Sequence, residues 1–285
     1  MITRQVLART IFLTASVSIL ASCSFINKKL EHDNPSPIST SSSVVLPDSS
    51  VYEGEMESGF FHGNGKLSWR NGMFYVGEFK NGLFHGIGRL ETTVGDVYDG
   101  HFRNGLYHGM GILSYHNGDR YKGQFKDDLR HGNGTIVFQN GDRFEGQFHQ
   151  GVFQGQGKLT IKDQGIYRGQ FSNGRFEGQG VYEFISGQVY SGSFHQGQFN
   201  DQGIMTYENG SQYVGEFKNG LRHGKGKFTW ANGDYYLGQF YFDEKEGTGI
   251  CQFRQVTGEC TYKGNELINF GNGHDPRERN FRYRT

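Results

Sequence analysis

Histidine is the residue type in this chain that most strongly invites a chemical role, because imidazole is a common zinc ligand. Five histidines recur at intervals of 23 residues or a multiple of 23: His62, His85, His108, His131 and His223. If each interval is one β-hairpin, equivalent positions lie about 10 Å apart, whereas the ligands of one zinc ion lie within roughly 4 Å of each other. We therefore predict no metal site and no cofactor, and we expect these imidazoles to make structural hydrogen bonds in a loop.

Carboxylates are the second candidate group, because a pair of them can act as acid and base in glycoside cleavage. The side chains considered are Glu53, Glu55, Glu78, Asp99, Glu145 and Glu216. Their regular recurrence favours exposed strand faces instead. The sequence contains no Gly-x-Ser-x-Gly, phosphate loop or metalloprotease motif, and its Gly-x-Gly steps open strands where a dinucleotide site needs a helix. We predict no catalytic residue, no small-molecule substrate and no enzymatic activity.

Cysteine is rare, with three residues in the chain. Cys251 and Cys260 lie close to the end of the sequence and Cys23 close to its beginning. In an oxidising compartment Cys251 and Cys260 should pair. A disulfide that closes a loop this short contributes roughly 2 to 3 kcal/mol in the chain-entropy model. We predict a disulfide that holds the terminal hairpin; a redox role is the alternative, although the spacing is unlike Cys-x-x-Cys.

A fixed repeat must position all of these residues. An aromatic-x-Gly step begins at Tyr52, Tyr75, Tyr98, Tyr121, Phe144, Tyr167, Tyr190, Tyr213 and Tyr236, and every interval is 23 residues. Such a period marks stacked supersecondary units. The alternation in Tyr75-Val76-Gly77-Glu78-Phe79 predicts a strand, and Asn-Gly steps such as Asn81-Gly82 and Asn71-Gly72 predict tight turns on both sides of the unit.

The second strand of each unit carries two apolar columns. The first contains Leu67, Leu90, Leu113, Ile136, Leu159, Tyr182, Met205 and Phe228, and the second follows two residues later, with Trp69 and Trp230 among its members. Residues two apart on a strand share a face, so both columns belong to one core face. The intervening positions, such as Ser68 and Glu91, are mostly polar and should face water. A glycine recurs in every unit, as at Gly65 and Gly88, and is expected to leave room for an aromatic ring.

The combined pattern Tyr-x-Gly-x-Phe-x-x-Gly-x-x-His-Gly-x-Gly resembles the MORN repeat from Tyr52 to about Phe253. This resemblance implies an all-β fold, an elongated single-sheet solenoid of about nine tandem 23-residue β-hairpin repeats. Departures from the pattern are Asp128 and Asp201 in place of glycine, and Gln154, Glu177 and Asn200 in place of histidine. They affect the expected loop shape rather than the expected fold.

The N-terminal segment has the features of a targeting signal. Arg4 and Arg9 precede an apolar stretch over 11–21, which is too short to span a bilayer as a helix but suits a secretory signal. It ends in Leu20-Ala21-Ser22-Cys23, which resembles the bacterial lipobox and implies a diacylglycerol on the Cys23 thiol. The alternative is an ordinary signal peptide with an incidental cysteine. Ser24, by the same resemblance, favours the outer membrane, facing the periplasm.

Four segments follow from these readings. We predict a lipoprotein signal peptide over 1–22, a lipidated N-terminus and disordered tether over 23–50, the repeat array over 51–264 and a C-terminal tail over 265–285. Since Lys plus Arg and Asp plus Glu both number 29, no long-range field draws phosphate backbones, and nucleic acid is not an expected partner.

The expected function is that of a membrane-anchored scaffold in the bacterial envelope. Its partner is expected to be an envelope protein or a second copy of the chain, contacted through a stripe of aromatic residues: Phe61, Phe84, Tyr107, Phe153, Phe176 and Phe199. These aromatics could equally belong to the core. The alternative function is binding of phospholipid or cell-wall glycan at the membrane surface, and the phospholipid reading rests on the resemblance.

Overall fold

The computed structural model describes residues 42–271. They form strands and turns, and this part of the chain contains no helix. The chain divides into two compact units, of which the structure describes 42–154 and 155–271. All strands belong to one 21-stranded sheet, which confirms the predicted all-β, single-sheet fold of hairpin repeats.

The first unit contains β1 to β10 and the start of β11. The strands are β1 (Ser42–Val45), β2 (Val51–Glu57), β3 (Phe60–Ser68), β4 (Phe74–Lys80), β5 (Leu83–Glu91), β6 (Val97–Arg103), β7 (Leu106–Ser114), β8 (Arg120–Lys126), β9 (Leu129–Val137), β10 (Arg143–His149) and β11 (Val152–Ile161). From β1 to β10, each strand pairs antiparallel with the strand that follows it.

The second unit contains the rest of β11 and the remaining strands. They are β12 (Gly165–Ser172), β13 (Arg175–Phe184), β14 (Val189–His195), β15 (Gln198–Thr206), β16 (Gln212–Lys218), β17 (Leu221–Thr229), β18 (Tyr235–Tyr241), β19 (Glu244–Phe253), β20 (Val256–Lys263) and β21 (Glu266–Phe270). From β11 to β21 the pairing is again antiparallel between consecutive strands.

One face of the sheet, the core face, is built on the first residue of each repeat. Tyr75 has no exposed area, and its ring lies edge-on to Phe79 of its own repeat at 5.0 Å and to Phe102 of the next repeat at 5.1 Å. Each such aromatic contact contributes about 0.5 to 1.5 kcal/mol beyond its burial. The repeat period therefore forms a continuous ladder of edge-to-face rings within each unit.

The recurring glycines have the predicted packing role. Gly54 and Gly65 face each other across β2 and β3, and a Cβ atom on Gly65 would lie 2.6 Å from Cε2 of Tyr52. The Tyr52 ring thus lies directly over the glycine pair, and its hydroxyl donates a hydrogen bond to the Glu55 carbonyl at 2.5 Å. Burial, reinforced by the nearby Glu55 carboxylate, raises the pKa of Tyr52 to about 12.

The two Asn-Gly positions of the repeat form different turns. Asn81 and Gly82 both have positive φ, at 51° and 81°, as the two-residue hairpin turn requires. At the other end of the unit, Gly72 has a φ of 89° and closes a longer loop in which its N–H donates to the Trp69 carbonyl at 3.1 Å. An Asn-Gly step therefore lies in a turn at both positions, as predicted, but the second turn is longer and has a positive φ at the glycine and not at the asparagine.

Two short strands lie outside the predicted array boundaries. β1 falls within the predicted tether, where Val44 pairs with Tyr52 and covers the edge of β2, and β21 falls within the predicted tail. Both strands are short and their flanking residues are polar, so alternation of apolar and polar residues alone does not identify them. The proposed signal peptide, Cys23, most of the tether and the tail from residue 272 lie outside the described residues.

Candidate interaction surface

The aromatic residues predicted as a contact stripe belong to the core face. They are nearly inaccessible, with relative exposures of 5% for Phe61, 4% for Phe84, 7% for Tyr107, 3% for Phe153, 8% for Phe176 and 2% for Phe199. Each occupies the tenth residue of its repeat, here called the stacking position, and lies flat against the first residue. The Phe84 and Tyr75 centroids, for example, are 3.9 Å apart. The prediction that these side chains form an exposed surface is therefore wrong.

The histidines do not assemble into a metal site. No group of three or more His, Cys, Asp or Glu side chains with metal-binding geometry occurs among residues 42–271. His62 Nδ1 lies 3.0 Å from Glu57 Oε2, and His108 Nδ1 lies 3.5 Å from Asp127 Oδ1. Neither contact has hydrogen-bond geometry, and Nδ1 of His62, His85, His108 and His223 is buried without a hydrogen-bond partner. The expected loop hydrogen bond is therefore not formed by that atom in these four histidines.

The repeated carboxylates hold the backbone. The ladder shifts register in the hairpin of each repeat, for example between Gly77 and Glu78, and this irregularity leaves an amide to be satisfied. Glu78 Oε1 accepts the Ile87 N–H at 2.8 Å, and Glu55 and Glu216 accept the corresponding amides of Asn64 and Lys225. Asp99 and Glu145 bond to Arg89 and Arg143. The geometry gives these side chains structural partners.

The cysteine pair links the two strands of the β19–β20 hairpin, which β21 follows. Cys251 and Cys260 are joined by a disulfide, with their Cα atoms 5.8 Å apart, and both side chains are buried. Cys251 occupies the place that Leu67 has in the first repeat. The disulfide therefore replaces the apolar column where the repeat pattern ends.

The face opposite the core face carries the accessible side chains. Its central line, here called the outer row, consists of the second residue of each repeat and the residues paired with it across the strands. In the first unit these are Glu53, Lys66, Val76, Arg89, Asp99, Ile112, Lys122, Thr135 and Glu145. In the second unit they are Lys158, Arg168, Val181, Ser191, Ile204, Val214, Lys227, Leu237, Ile250 and Glu259.

Half of the outer row of the second unit is apolar, and its apolar members all lie between Val181 and Ile250 along the row. The exposed fractions of Ile204, Val214, Leu237 and Ile250 are 40%, 41%, 47% and 41%. Among the members of the outer row from Val181 to Ile250, Lys227 is the one charged residue. Ile204 lies opposite Val214, and Leu237 lies opposite Ile250. This row was not predicted, because the polar neighbours two residues later, such as Glu183, dominated the pattern. The available signal was the recurrence of Val and Ile at the fifteenth position of the repeat and of Val and Leu at the second.

The fold and its repeated hairpin define an antiparallel β-repeat protein, and comparison with known families places it further. A family model described as the MORN repeat matches nine consecutive segments: 52–74, 75–97, 98–120, 121–143, 144–166, 167–189, 190–212, 213–235 and 236–255. These segments cover most of the chain. The protein belongs to the MORN-repeat family.

Other comparisons are more distant. No curated protein matches the chain. The TCP10 domain of Danio rerio CPAP is 16% identical with a TM-score of 0.40, covering 70% of this chain and 94% of that one. A catalytically inactive virginiamycin B lyase from Staphylococcus aureus, with quinupristin, is 9% identical with a TM-score of 0.16, covering 78% and 94%. At these TM-scores neither likeness bears on function.

A search of residues 42–271 for helices long and apolar enough to cross a membrane found none.

Proposed function

We propose that this protein is a non-catalytic, membrane-anchored scaffold of the bacterial envelope, and that it binds a partner protein through the outer row of its second unit. The exposed line of Ile204, Val214, Leu237 and Ile250 carries this proposal. The row presents two exposed apolar pairs, one on each side of Lys227, and exposed apolar surface rimmed by polar residues marks interaction sites. An exposed face of a β-sheet fits recognition by surface contact.

The chemistry of the row describes the partner. Burying one fully exposed Val, Leu or Ile side chain contributes about 1.5 to 3 kcal/mol. Because the four side chains of this row are already more than half buried, covering each of them contributes a fraction of that value. Lys227 lies opposite both Val214 and Leu237. A matching surface is therefore apolar with an acidic residue facing Lys227, because an unpaired ammonium ion covered by an apolar partner loses its hydration.

The anchor in this proposal is a lipid on Cys23. The lipobox-like Leu20-Ala21-Ser22-Cys23 supports it, and two or three acyl chains suffice for stable attachment without a spanning segment. Residues between Cys23 and β1 would then separate the sheet from the membrane. The proposed location is the outer membrane, with the repeats in the periplasm.

The test is in-cell crosslinking of a tagged full chain, followed by mass spectrometry of the captured proteins. Val214→Glu and Val76→Glu form a matched pair: both valines are the second residue of a repeat, 41% and 43% exposed, and both have a lysine or arginine opposite. We expect a reproducible protein partner with the wild type and with Val76→Glu, and at least a tenfold loss with Val214→Glu. Circular dichroism checks that both variants fold. Equal capture by all three proteins would rule out the outer row of the second unit as the interface.

A further inference from the structure

Arginine replaces the aromatic ring at the stacking position of the eighth repeat. The guanidinium carbon of Arg222 lies 5.8 Å from the ring centroid of Tyr213 and 5.5 Å from that of Phe240. Its charge has a partner in the next turn, at Asp243. Asp243 Oδ1 accepts the Arg222 backbone N–H at 2.9 Å and Nε–H at 3.2 Å, while the Asp243 carbonyl accepts a bond from Nη2 at 2.7 Å.

The fourth repeat also has an arginine at the stacking position, but there no carboxylate accompanies it. The guanidinium carbon of Arg130 lies 5.9 Å from the Tyr121 centroid and 5.6 Å from the Phe148 centroid, and Nη2 donates to the Gly151 carbonyl at 2.9 Å. The residue equivalent to Asp243 is Gly151. Arg130 is only 5% exposed, and it forms no ion pair within residues 42–271.

Space for a carboxylate exists beside Arg130. A Cβ atom built on Gly151 would have no heavy atom within 4 Å. The Gly151 N–H donates to the Arg130 carbonyl at 2.8 Å, as the Asp243 N–H does to Arg222 at 3.0 Å. The two turns therefore have the same backbone connection to their arginine, and they differ in whether a side-chain oxygen is supplied.

A side-chain oxygen at this turn position is a recurring feature of the molecule. Asp128 Oδ1 accepts the Tyr107 backbone N–H at 2.8 Å, and Asn265 Oδ1 accepts the Lys245 backbone N–H at 2.9 Å. In all three cases the turn residue bonds the amide of the preceding stacking position. Arg130 is the stacking-position arginine that faces a glycine.

We propose that Arg130 and the turn Gln150-Gly151 bind a carboxylate of a partner protein, an Asp or Glu side chain or a chain terminus, where the Asp243 carboxylate lies beside Arg222. A buried cation without a counter-charge is unfavourable, and a carboxylate that bonds it recovers free energy through charge-assisted hydrogen bonds. The Arg130 backbone N–H and Nε–H are the two donors. The protein origin of the carboxylate rests on the proposed function, whereas the preference for a carboxylate rests on this geometry alone.

The experiment is a titration of the ¹⁵N-labelled full chain in detergent micelles, following the Arg130 backbone N–H and Nε–H signals by nuclear magnetic resonance. The probes are the blocked tripeptide Ala-Asp-Ala, its Ala-Asn-Ala counterpart and sodium acetate, at constant ionic strength. We expect a saturable shift of both Arg130 signals with the Asp peptide and none with the Asn peptide. Acetate should act at a concentration at least several-fold higher. Tighter binding of acetate than of the Asp peptide would overturn the partner-protein origin.

Gly151→Asp is the matched variant, because it supplies the carboxylate from within the chain. Asp128 and Asp243 show that aspartate accepts this turn, with φ angles of 68° and 71°. We expect Gly151→Asp to shift the Arg130 signals without added probe, to raise the melting temperature and to abolish the response to the Asp peptide. Gly105→Asp, at the equivalent turn facing Phe84, should leave the peptide response intact.

The carboxylate site would be overturned if the Asp peptide left the Arg130 signals of the wild type in place and if Gly151→Asp, without added probe, gave the same Arg130 signals as the wild type. This result is separate from the failure of the proposed function. Loss of captured partners in cells leaves the titration unaffected, and a failed titration leaves the crosslinking result of Val214→Glu unaffected.

Discussion

The outer row of the first unit mixes charges of both signs, and Arg89 Nη1 bonds Asp99 Oδ2 at 2.9 Å across neighbouring strands. The outer row of the second unit places Ile204 opposite Val214 and Leu237 opposite Ile250. Beneath both rows the core face is the same ladder of buried tyrosine and phenylalanine rings. The repeat therefore fixes one face of the sheet and leaves the other free to differ, so residues with a specific function are expected where the repeats diverge.

The ends of the units differ as well. β1 covers β2 at the start of the first unit, with Ser43 and Val44 paired to Glu53 and Tyr52. Near the end of the second unit, Cys251 and Cys260 link β19 to β20. A terminal hairpin lacks a neighbouring repeat on one side, and a short strand covers it at each end, β1 on β2 and β21 on β20. The end of the second unit adds a covalent bond to this backbone pairing.

The largest expected effect comes from removing a core ring in each unit. Tyr98→Ala and Tyr190→Ala should each lower the free energy of unfolding by about 3 to 5 kcal/mol, since both rings are fully buried, lie edge-on to two phenylalanines and stack on a third aromatic ring. Urea unfolding followed by circular dichroism measures this. Similar losses in the two units would show that their difference is confined to the outer face; a strongly unequal loss would contradict a shared core.

The disulfide should have the next largest effect. Replacing Cys251 and Cys260 together by serine is expected to lower the free energy of unfolding by roughly 2 to 3 kcal/mol, because the closed loop is short. Amide hydrogen exchange should show faster opening of β20 and β21, with β1 and β2 unchanged. The wild type under reducing conditions is the control, and equal exchange in the variant and the oxidised wild type would show that the bond does not hold this end.

A pH dependence should be specific to the second unit. Burial among aromatic rings, together with the nearby Arg222 charge, lowers the pKa of Lys245 to about 8; Nζ lies 5.2 Å from the centroids of both Trp230 and Tyr262. Between about pH 8 and the ordinary lysine pKa, the unfolded chain binds more protons than the folded one, so stability rises with pH there.

Lys245→Phe, which restores a ring to the stacking position, should flatten this rise. Urea unfolding of both proteins between pH 7.5 and about 9.5 measures the difference and avoids tyrosine titration, since unperturbed tyrosine ionises near pH 10. Identical slopes in the two proteins would assign the pH dependence to other groups.

The smallest effect is expected on the charged outer row. Asp99→Asn should lower the free energy of unfolding by only about 0.2 to 1 kcal/mol, because Arg89 and Asp99 are each about half exposed. Raising the salt concentration should remove the difference between the variant and the wild type. A loss that persists in high salt would indicate a role beyond this surface ion pair.

Much of the fold is readable from the sequence because the interactions that define a hairpin are local. The 23-residue spacing from Tyr52 to Tyr236, the Asn-Gly steps and the alternation of Leu67 and Trp69 with polar residues specify strands, turns and the core face. The burial of Phe84 was also within reach, since it has the same parity as Leu90 on β5. From the sequence this position was predicted as either surface or core.

Tertiary structure alone decided how the strands place distant residues side by side. Strand register brings Ile204 next to Val214. Register and the irregularity after Gly77 together place Tyr75 on Phe84 and bring the Glu78 carboxylate to the Ile87 N–H. The same holds for Arg130 and Arg222, whose side chains look alike in sequence. Their difference arises from a turn residue 21 positions later, because pairing between successive hairpins brings that residue to the arginine.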